Sequence, residues 1–255
     1  MEKYEQNNEF GRRVFEQFMD LFVNPEVNRR QGAGELEKPL DLRAAQILFF
    51  SDGRKPKVRI NSEVRAIGKV QFKPGISKKA GEPVFEHELE GLEAINLTEG
   101  DDPDCGHATL VKIGGRWTIT FDFRYNKKLS RKHINTAKQF YEAAGFSFKQ
   151  KNWSAFVDSL FSAAELLARS ILLSRPDPQF RKKATHKAIQ IRYNRFADLG
   201  NVEEAHRETL NKLSGLRDRA RYLKGDVSIS EDEARRFLDI VNNMMEYASS
   251  FIGIH

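Results

Sequence analysis

The sequence lacks cysteine pairs, long apolar runs and an apolar N-terminal segment, and each absence excludes a class of protein. Its 255 residues include a single cysteine, Cys105, which excludes an internal disulfide framework and a Cys-rich zinc site. The longest aliphatic or aromatic run, residues 47–50, is far below the roughly 20 residues of a membrane helix. The charged start, residues 1–5, lacks the apolar segment of a secretory signal. We therefore expect a cytoplasmic protein with no membrane partner.

Motifs for cofactors and metals are also missing. The sequence contains no phosphate-binding glycine loop, nucleophile elbow or dinucleotide fingerprint. A short acidic segment carries residue types that bind metals, namely His87, Asp102, Asp104, Cys105 and His107. Its Cys-Gly-His spacing is not that of a zinc finger, and a second cysteine-containing element is absent. We interpret this segment as an acidic turn, and we expect neither a metal nor a cofactor.

The charge that is present lies unevenly along the chain. Lysine and arginine number 42 against 36 acidic residues, which gives a formal net charge of +6. Residues 1–130 hold 21 basic and 21 acidic residues, whereas residues 131–255 hold 21 and 15. The whole excess therefore belongs to the second half. An anionic partner such as RNA or a nucleotide is expected to bind there.

The first half changes its hydrophobic period from helical to strand-like. Residues 7–23 predict an amphipathic helix that ends at Asn24-Pro25, because the residue before a proline avoids helical geometry. From about residue 44 to residue 125, apolar and polar residues alternate, with Gly114-Gly115 as a hairpin turn. Residues 1–128 thus predict a helix followed by a small antiparallel β-domain of five to six strands, for which a barrel is one candidate form. We expect this domain to sense a signal or to dock a protein partner.

The second half, residues 129–255, is predicted to be all helical. Apolar residues recur three and four positions apart in five segments, within 134–148, 153–171, 188–199, 210–223 and 234–251. The Ser-Glu-Asp-Glu run at 230–233 is a capping box that starts the last segment. Short connections between amphipathic helices indicate antiparallel neighbours, hence an up-and-down bundle. The predicted class of the whole chain is α+β.

Within the β-domain, a basic run precedes an acidic run. Residues 54–79 carry nine lysines and arginines, and residues 82–104 carry nine acidic residues with no basic residue between them. We interpret the two runs as neutralising each other across paired strands. The alternative is a hairpin at 54–79 that binds a ligand or nucleic acid.

One arginine of the fourth helical segment falls inside the apolar stripe. At 100° per residue, Arg217 projects between Leu210 and Leu213. A guanidinium in such a seam must find a partner or line a cavity, because an unpaired buried charge is costly. It is either a structural arginine paired with a carboxylate of the bundle or part of a polar site in the seam. His206 also projects onto the apolar stripe and is interpreted as a satisfied histidine of the bundle.

The helical half resembles the HEPN superfamily (higher eukaryotes and prokaryotes nucleotide-binding domain), especially its short toxin–antitoxin-type members. The resemblance covers residues 131–253. It is carried by Trp153–Leu173, Thr185–Lys187, Phe196 with the Gly200 turn, Leu213–Tyr222 and Ser230–Ala234. It implies a helical bundle that usually forms a homodimer. Many members are metal-independent ribonucleases that use an arginine, an adjacent polar residue and a histidine four to six residues later.

The match to that catalytic pattern is incomplete. Arg217 and Asp218 occupy the first two positions, but position 222 is Tyr222 instead of histidine. A phenol, which ordinarily titrates near pH 10, is a poor general acid or base at neutral pH. The candidate catalytic set is therefore Arg217, Asp218 and Tyr222, with the histidine missing. Arg181 and His186 repeat the arginine-to-histidine spacing away from the family's catalytic position, and we treat that match as coincidental.

Three functions follow from these patterns. The first is an RNA- or nucleotide-binding HEPN dimer with a regulatory, antitoxin or defence-associated role and without standard ribonuclease chemistry. The second is a metal-independent endoribonuclease, acting as a toxin or antiviral effector, that uses Arg217 and Asp218. The third is a structural protein whose bundle oligomerises and whose β-domain is the functional module. The residues expected to contact nucleic acid are Arg181, Lys182, Lys183, Lys187, Arg219 and Arg221.

Overall fold

The chain divides into two compact units, Met1–Phe123 and Arg124–His255. Each unit has a hydrophobic cluster of its own. Strands lie in the first unit and a helical bundle forms the second, so the predicted α+β class is confirmed. A computed structural model describes residues 2–79, 81–98, 104–176, 185–222 and 227–253.

The N-terminal helix does not end at Asn24-Pro25, so that prediction is wrong. Helix α1 (Glu2–Phe18) continues through a π-helical turn (Met19–Val23) into helix α2 (Asn24–Gly32). The backbone N–H of Asn24 donates to the carbonyl of Met19, five residues back. This wider turn relaxes the ladder of backbone hydrogen bonds at the point where the proline ring would otherwise collide with it. Pro25 then falls in the first turn of α2.

The six described strands pair in two separate sheets. The first sheet has the order β2-β1-β5-β6, and the second pairs β3 with β4, all antiparallel. Within the described residues, the strands therefore form open sheets and no closed barrel. Their bounds are β1 Ala44–Phe49, β2 Lys57–Ile60, β3 Ala66–Phe72, β4 Leu89–Leu97, β5 Gly106–Ile113 and β6 Arg116–Asp122.

The core of the first unit forms where the helical segment packs against the four-stranded sheet. Ala45 and Ile47 of β1 are fully buried, as is Val23 of the π-helical turn. The rings of Phe22 and Phe49 meet edge to face, with centroids 5.3 Å apart. Such aromatic contacts add to the free energy of simple burial.

Parts of the basic and acidic runs of the first unit lie on opposite strands of the β3–β4 pair. Two cations of the basic run pair with carboxylates of the acidic run, which agrees with the predicted neutralisation for those two. Lys69 Nζ lies 2.7 Å from Glu93 Oε2 across these strands. Near the end of the sheet, Lys78 Nζ lies 2.6 Å from Glu88 Oε1.

The second unit is a bundle of five described helices, and all five were predicted. Helix α4 packs against each of the other four. Twelve of its 21 residues are buried, and Ala163, Ala164 and Ala168 are fully buried. Ser230 caps the last helix by accepting a hydrogen bond from Glu233 N at 3.2 Å. The helices are α3 Lys127–Lys149, α4 Trp153–Leu173, α5 His186–Asp198, α6 Glu204–Tyr222 and α7 Glu231–Ile252.

Within the described parts of the chain, no helix is both long enough and apolar enough to cross a membrane.

Candidate functional site

The site is built on one face of α4. Asp158, Phe161 and Glu165 are spaced three and four residues apart, which places them on the same side of a helix. Residues of α6 and the first residue of α5 contact this face. Residues from three helices therefore meet here, although they are distant in sequence.

Arg217 of α6 is held at this face by a carboxylate and an aromatic ring. Its Nε donates to Asp158 Oδ1 at 3.0 Å. Its guanidinium carbon lies 4.8 Å from the centroid of Phe161, in range for a cation–π contact. Only 8% of the residue is exposed. The interpretation of Arg217 as an arginine paired with a bundle carboxylate is confirmed.

A second guanidinium shares the same carboxylate. Arg221 Nη1 lies 3.7 Å from Asp158 Oδ1, and about half of the Arg221 side chain is exposed. Two arginines thus face one aspartate, so the group keeps a net positive charge. Its exposed part is the Arg221 side, which is suited to an anionic partner.

The fold also brings a histidine to this face. His186 Nδ1 donates a hydrogen bond to Glu165 Oε1, and its ring lies 6.0 Å from that of Phe161. The side chain of His186 is 63% exposed. Because Nδ1 carries the hydrogen in this bond, Nε2 of the neutral ring keeps a lone pair. Phe161 therefore contacts both the seam arginine and an imidazole, which sequence spacing alone did not connect.

The other predicted site residues that the structure describes are distributed along α5 and α6, and of these Arg221 reaches the α4 face. Asp218, next to Arg217, is exposed and forms no ion pair within the described residues. Tyr222 is the last residue of α6. The predicted nucleic-acid residues that are described, Lys187, Arg219 and Arg221, are all exposed. The remaining three, Arg181, Lys182 and Lys183, lie outside the described residues.

Comparison with protein families agrees with this architecture. Residues 130–251 match the HEPN domain family. The C-terminal half of the chain is a HEPN domain. Membership supports a function related to nucleotides or RNA in general terms. Among curated proteins, no sequence matches the chain.

The HEPN domain also contains two buried polar side chains away from the α4 face. Tyr193 is fully buried and His206 is 1% exposed. Neither the Tyr193 hydroxyl nor either ring nitrogen of His206 has a hydrogen-bond partner in the described chain. His206 is buried as predicted, but its hydrogen-bonding capacity is not satisfied. Burial lowers the pKa of His206, partly opposed by Glu203, and raises the pKa of Tyr193.

The acidic segment of the first unit carries residue types that bind metals. Across the described segments, no group of three or more histidine, cysteine or acidic side chains is placed to hold an ion. Cys105 and His107 are buried. Asp102 lies outside the described residues.

Proposed function

We propose that this HEPN-domain protein binds RNA or nucleotides through its helical unit, acts as a homodimer, and lacks the family's standard ribonuclease chemistry. Its role would be regulatory, antitoxin-like or defence-associated. The proposal rests on the contacts that Arg217 makes within the fold. Asp158 neutralises it and Phe161 covers it, so it is engaged within the fold before any phosphate arrives. Tyr222 stands where a catalytic histidine is expected.

The binding surface is supported by exposed cations at the two helix ends that meet the α4 face. Lys187 follows His186 at the start of α5, whereas Arg219 and Arg221 lie in the last turn of α6. These two helix ends reach the same face of α4 through His186 and Arg221. A helix N-terminus adds N–H donors for phosphate. We propose that RNA phosphates bind at Lys187, Arg219 and Arg221.

Fluorescence anisotropy with a single-stranded RNA oligomer tests this surface. The triple variant Lys187→Gln/Arg219→Gln/Arg221→Gln removes three cations of the site. We expect binding at about 50 mM salt to weaken at least about tenfold, and the salt slope to fall by roughly 0.7 for each lost contact.

A matched control removes the same charge elsewhere in the HEPN domain. Arg131, Lys132 and Arg236 are exposed on α3 and α7, and their change to glutamine should reduce RNA affinity far less. Equal losses in the two triples, or no RNA binding by the parent protein at low salt, contradict the proposal. The second of these outcomes would favour the function in which the β-domain is the working module.

His186 supports a second candidate function, a metal-independent endoribonuclease. Imidazole is the side chain suited to proton transfer near neutral pH. His186 packs on the same ring as Arg217 and is oriented by Glu165. In this proposal His186 replaces the histidine missing at position 222, and Glu165 acts as a positioning residue.

Cleavage of labelled RNA in the presence of a chelator separates the two functions. If the protein is a ribonuclease, His186→Ala should abolish cleavage, and Glu165→Gln should lower the rate and change its pH profile. Asp218→Ala should also reduce cleavage. Intact RNA with the parent protein contradicts the ribonuclease function and leaves the binding function standing.

Dimerisation is tested separately by sedimentation velocity. We expect a dimer at micromolar concentration. A monomer over the whole range would contradict that part of the proposal. The N-terminal unit is proposed to dock a protein partner or to sense a signal, and deleting residues 1–123 should leave RNA affinity unchanged.

A further inference from the structure

A cavity of about 600 Å³ opens in the N-terminal unit, between the β3–β4 pair and the turn that joins β5 to β6. All of its lining residues belong to this unit. The lining combines cations, carboxylates and aliphatic side chains, and it includes Lys73, Glu86, Leu89, Glu90, Ile113 and Arg116. None of these residues belongs to the proposed RNA surface.

The charges around this cavity have both signs and are not paired with each other. Within the described part of the chain, neither Lys73 nor Arg116 forms an ion pair with a carboxylate, and Glu90 forms none with a cation. All three side chains are exposed. Opposite charges that share one concavity without touching leave room for a ligand that carries both signs. Such a ligand gains charge-assisted hydrogen bonds with both sets of charges.

Glu86 is held in place in the wall of the cavity. It begins a short 3-10 turn, Glu86–Glu88, that precedes β4. The backbone N–H of Phe85 donates to Glu88 Oε2 at 2.8 Å and closes this turn. The backbone N–H of Gly114 donates to Glu86 Oε1, which joins the turn to the β5–β6 hairpin. The carboxylate of Glu86 is thus oriented, and its Oε2 can still accept a hydrogen bond from a ligand.

Contacts outside the cavity order the same wall. The ring of His87, which also lines the cavity, stacks on Phe85 with the centroids 5.8 Å apart. Lys78 Nζ lies 5.5 Å from the centroid of the Phe85 ring and 2.6 Å from Glu88 Oε1. The turn that carries Glu86 therefore loses little conformational freedom when a ligand binds.

The aliphatic part of the lining is less exposed than the charged part. Leu89 and Ile113 are partly buried. Lys73, Glu90 and Arg116, by contrast, are exposed. A cavity of this volume is in the range of small-molecule sites. Because the exposed rim has charges of both signs and the more buried lining is aliphatic, a matching ligand carries both charges at one end and an aliphatic group at the other.

We propose that this cavity binds a free α-amino acid with an aliphatic side chain. The carboxylate of the ligand binds the two cations, its ammonium group binds the two glutamates, and its side chain packs on Leu89 and Ile113. The inference deepens the sensing role proposed for the N-terminal unit by naming the class of signal, and in that respect it rests on the proposed function. RNA binding at Lys187, Arg219 and Arg221 does not depend on it.

Isothermal titration of the full-length protein with leucine tests the site at low salt, where screening is weak. Arg116→Gln and Glu90→Gln should each weaken leucine binding at least about fivefold, because each removes one charged partner of the ligand. Lys55→Gln and Glu37→Gln remove exposed charges of the same unit outside the cavity and should leave the affinity within about twofold. Equal losses in the control variants, or no saturable binding of leucine by the parent protein, overturn the proposal.

Derivatives of leucine test the two charges without changing the protein. Leucinamide lacks the carboxylate and N-acetylleucine lacks the ammonium group, so each should bind at least about fivefold more weakly than leucine. Glycine, which has no aliphatic side chain, should also bind more weakly. Arg116→Gln should affect the binding of leucine more than that of leucinamide. Equal binding of all four compounds overturns the assignment of an aliphatic amino acid.

Two further measurements separate this site from the other proposed partners. A leucine-containing peptide with both ends blocked should not compete with leucine, and competition at equal affinity overturns the free amino acid in favour of a protein partner. The triple variant Lys187→Gln/Arg219→Gln/Arg221→Gln should bind leucine as the parent protein does. Absent leucine binding with intact RNA binding overturns this inference alone, whereas absent RNA binding with intact leucine binding contradicts only the proposed RNA surface.

Discussion

The two units of this protein hold a shielded arginine in different ways. In the N-terminal unit, the Arg30 side chain is 14% exposed and contacts Glu26 at 2.6 Å and Glu63 at 2.7 Å. In the HEPN domain, the Arg217 side chain is 10% exposed and has one aspartate at 3.0 Å. That aspartate is shared with Arg221. Arg29 also contacts Glu26, and it contacts Glu35 as well. Two arginines of the N-terminal unit thus face three carboxylates, whereas two arginines of the HEPN domain share one.

This difference gives a structural meaning to the uneven charge of the chain. Several charges of the balanced half form local pairs, such as Lys69 with Glu93. In the HEPN domain, Arg217 and Arg221 share one aspartate at the α4 face. A net charge indicates a binding surface only where the fold leaves cations without matching carboxylates. The difference predicts which substitutions affect stability and which affect binding.

The largest effect is expected when Arg217 loses its carboxylate. Asp158→Ala should destabilise the HEPN domain by about 2–3 kcal/mol, because the shielded guanidinium remains without a counter-charge. The Asp158 side chain is 39% exposed, so water reduces the cost below that of a fully buried pair. Urea unfolding followed by far-UV circular dichroism measures the change.

Two further variants make this prediction specific. Adding Arg217→Met to Asp158→Ala should recover part of the lost stability, since no charge is then left in the seam. Asp218→Ala, which removes an exposed carboxylate beside Arg217, should change stability by less than about 0.5 kcal/mol. If Asp218→Ala costs as much as Asp158→Ala, the Arg217–Asp158 contact does not have the role assigned to it.

A smaller effect is expected in the N-terminal unit. Arg30→Met removes two ion pairs and a 2.9 Å hydrogen bond to the carbonyl of Val58. We expect a loss of about 1–2 kcal/mol, because Glu63 is half exposed and is readily solvated once its partner is gone. Arg12→Met, in an exposed pair with Glu16, is the control and should change stability little. Equal losses in both variants would remove the distinction between shielded and exposed arginines.

The two units should also lose stability in different pH ranges. Burial lowers the pKa of both His133 and His206 in the HEPN domain. In the unfolded chain these histidines bind protons more readily than in the folded domain. The free energy of unfolding of the domain therefore falls as pH falls through about 6.5. The expected loss is up to about 1.4 kcal/mol per histidine between pH 7.5 and 5.5. Hydrogen bonds from Arg29 and Arg30 lower the pKa of Glu26 to about 2. The contribution of Glu26 to the stability of the N-terminal unit persists above pH 4.5 and disappears between pH 4.5 and 2.

Thermal unfolding at pH 7.5, 5.5 and 3.5 distinguishes these ranges. Between pH 7.5 and 5.5 the melting temperature of the HEPN domain should fall. His206→Leu should remove part of the fall. If the fall is the same in His206→Leu as in the parent protein, His206 is not among its causes.

Sequence periodicity predicts the elements of this protein better than the contacts between them. The five helices follow from apolar spacing, and the requirement of Arg217 for a partner follows from its position in the stripe. The identity of that partner does not follow, because Asp158 comes from another helix. The proximity of His186 to Phe161 does not follow from the sequence either, because these residues also lie on different helices. The continuation through Pro25 depends on a π-helical turn, which the period of the sequence does not reveal.

The smallest effect is expected where a charge run is locally neutralised. Lys69→Gln breaks the exposed pair with Glu93 on β3 and β4 and should change stability by less than about 0.5 kcal/mol. It should also leave RNA affinity unchanged, because Glu93 already neutralises this cation. The same substitution at Arg221, which shares its carboxylate with Arg217, should weaken RNA binding. If Lys69→Gln weakens binding as much as Arg221→Gln does, the hairpin at residues 54–79 is itself a nucleic-acid surface, and local pairing does not decide where RNA binds.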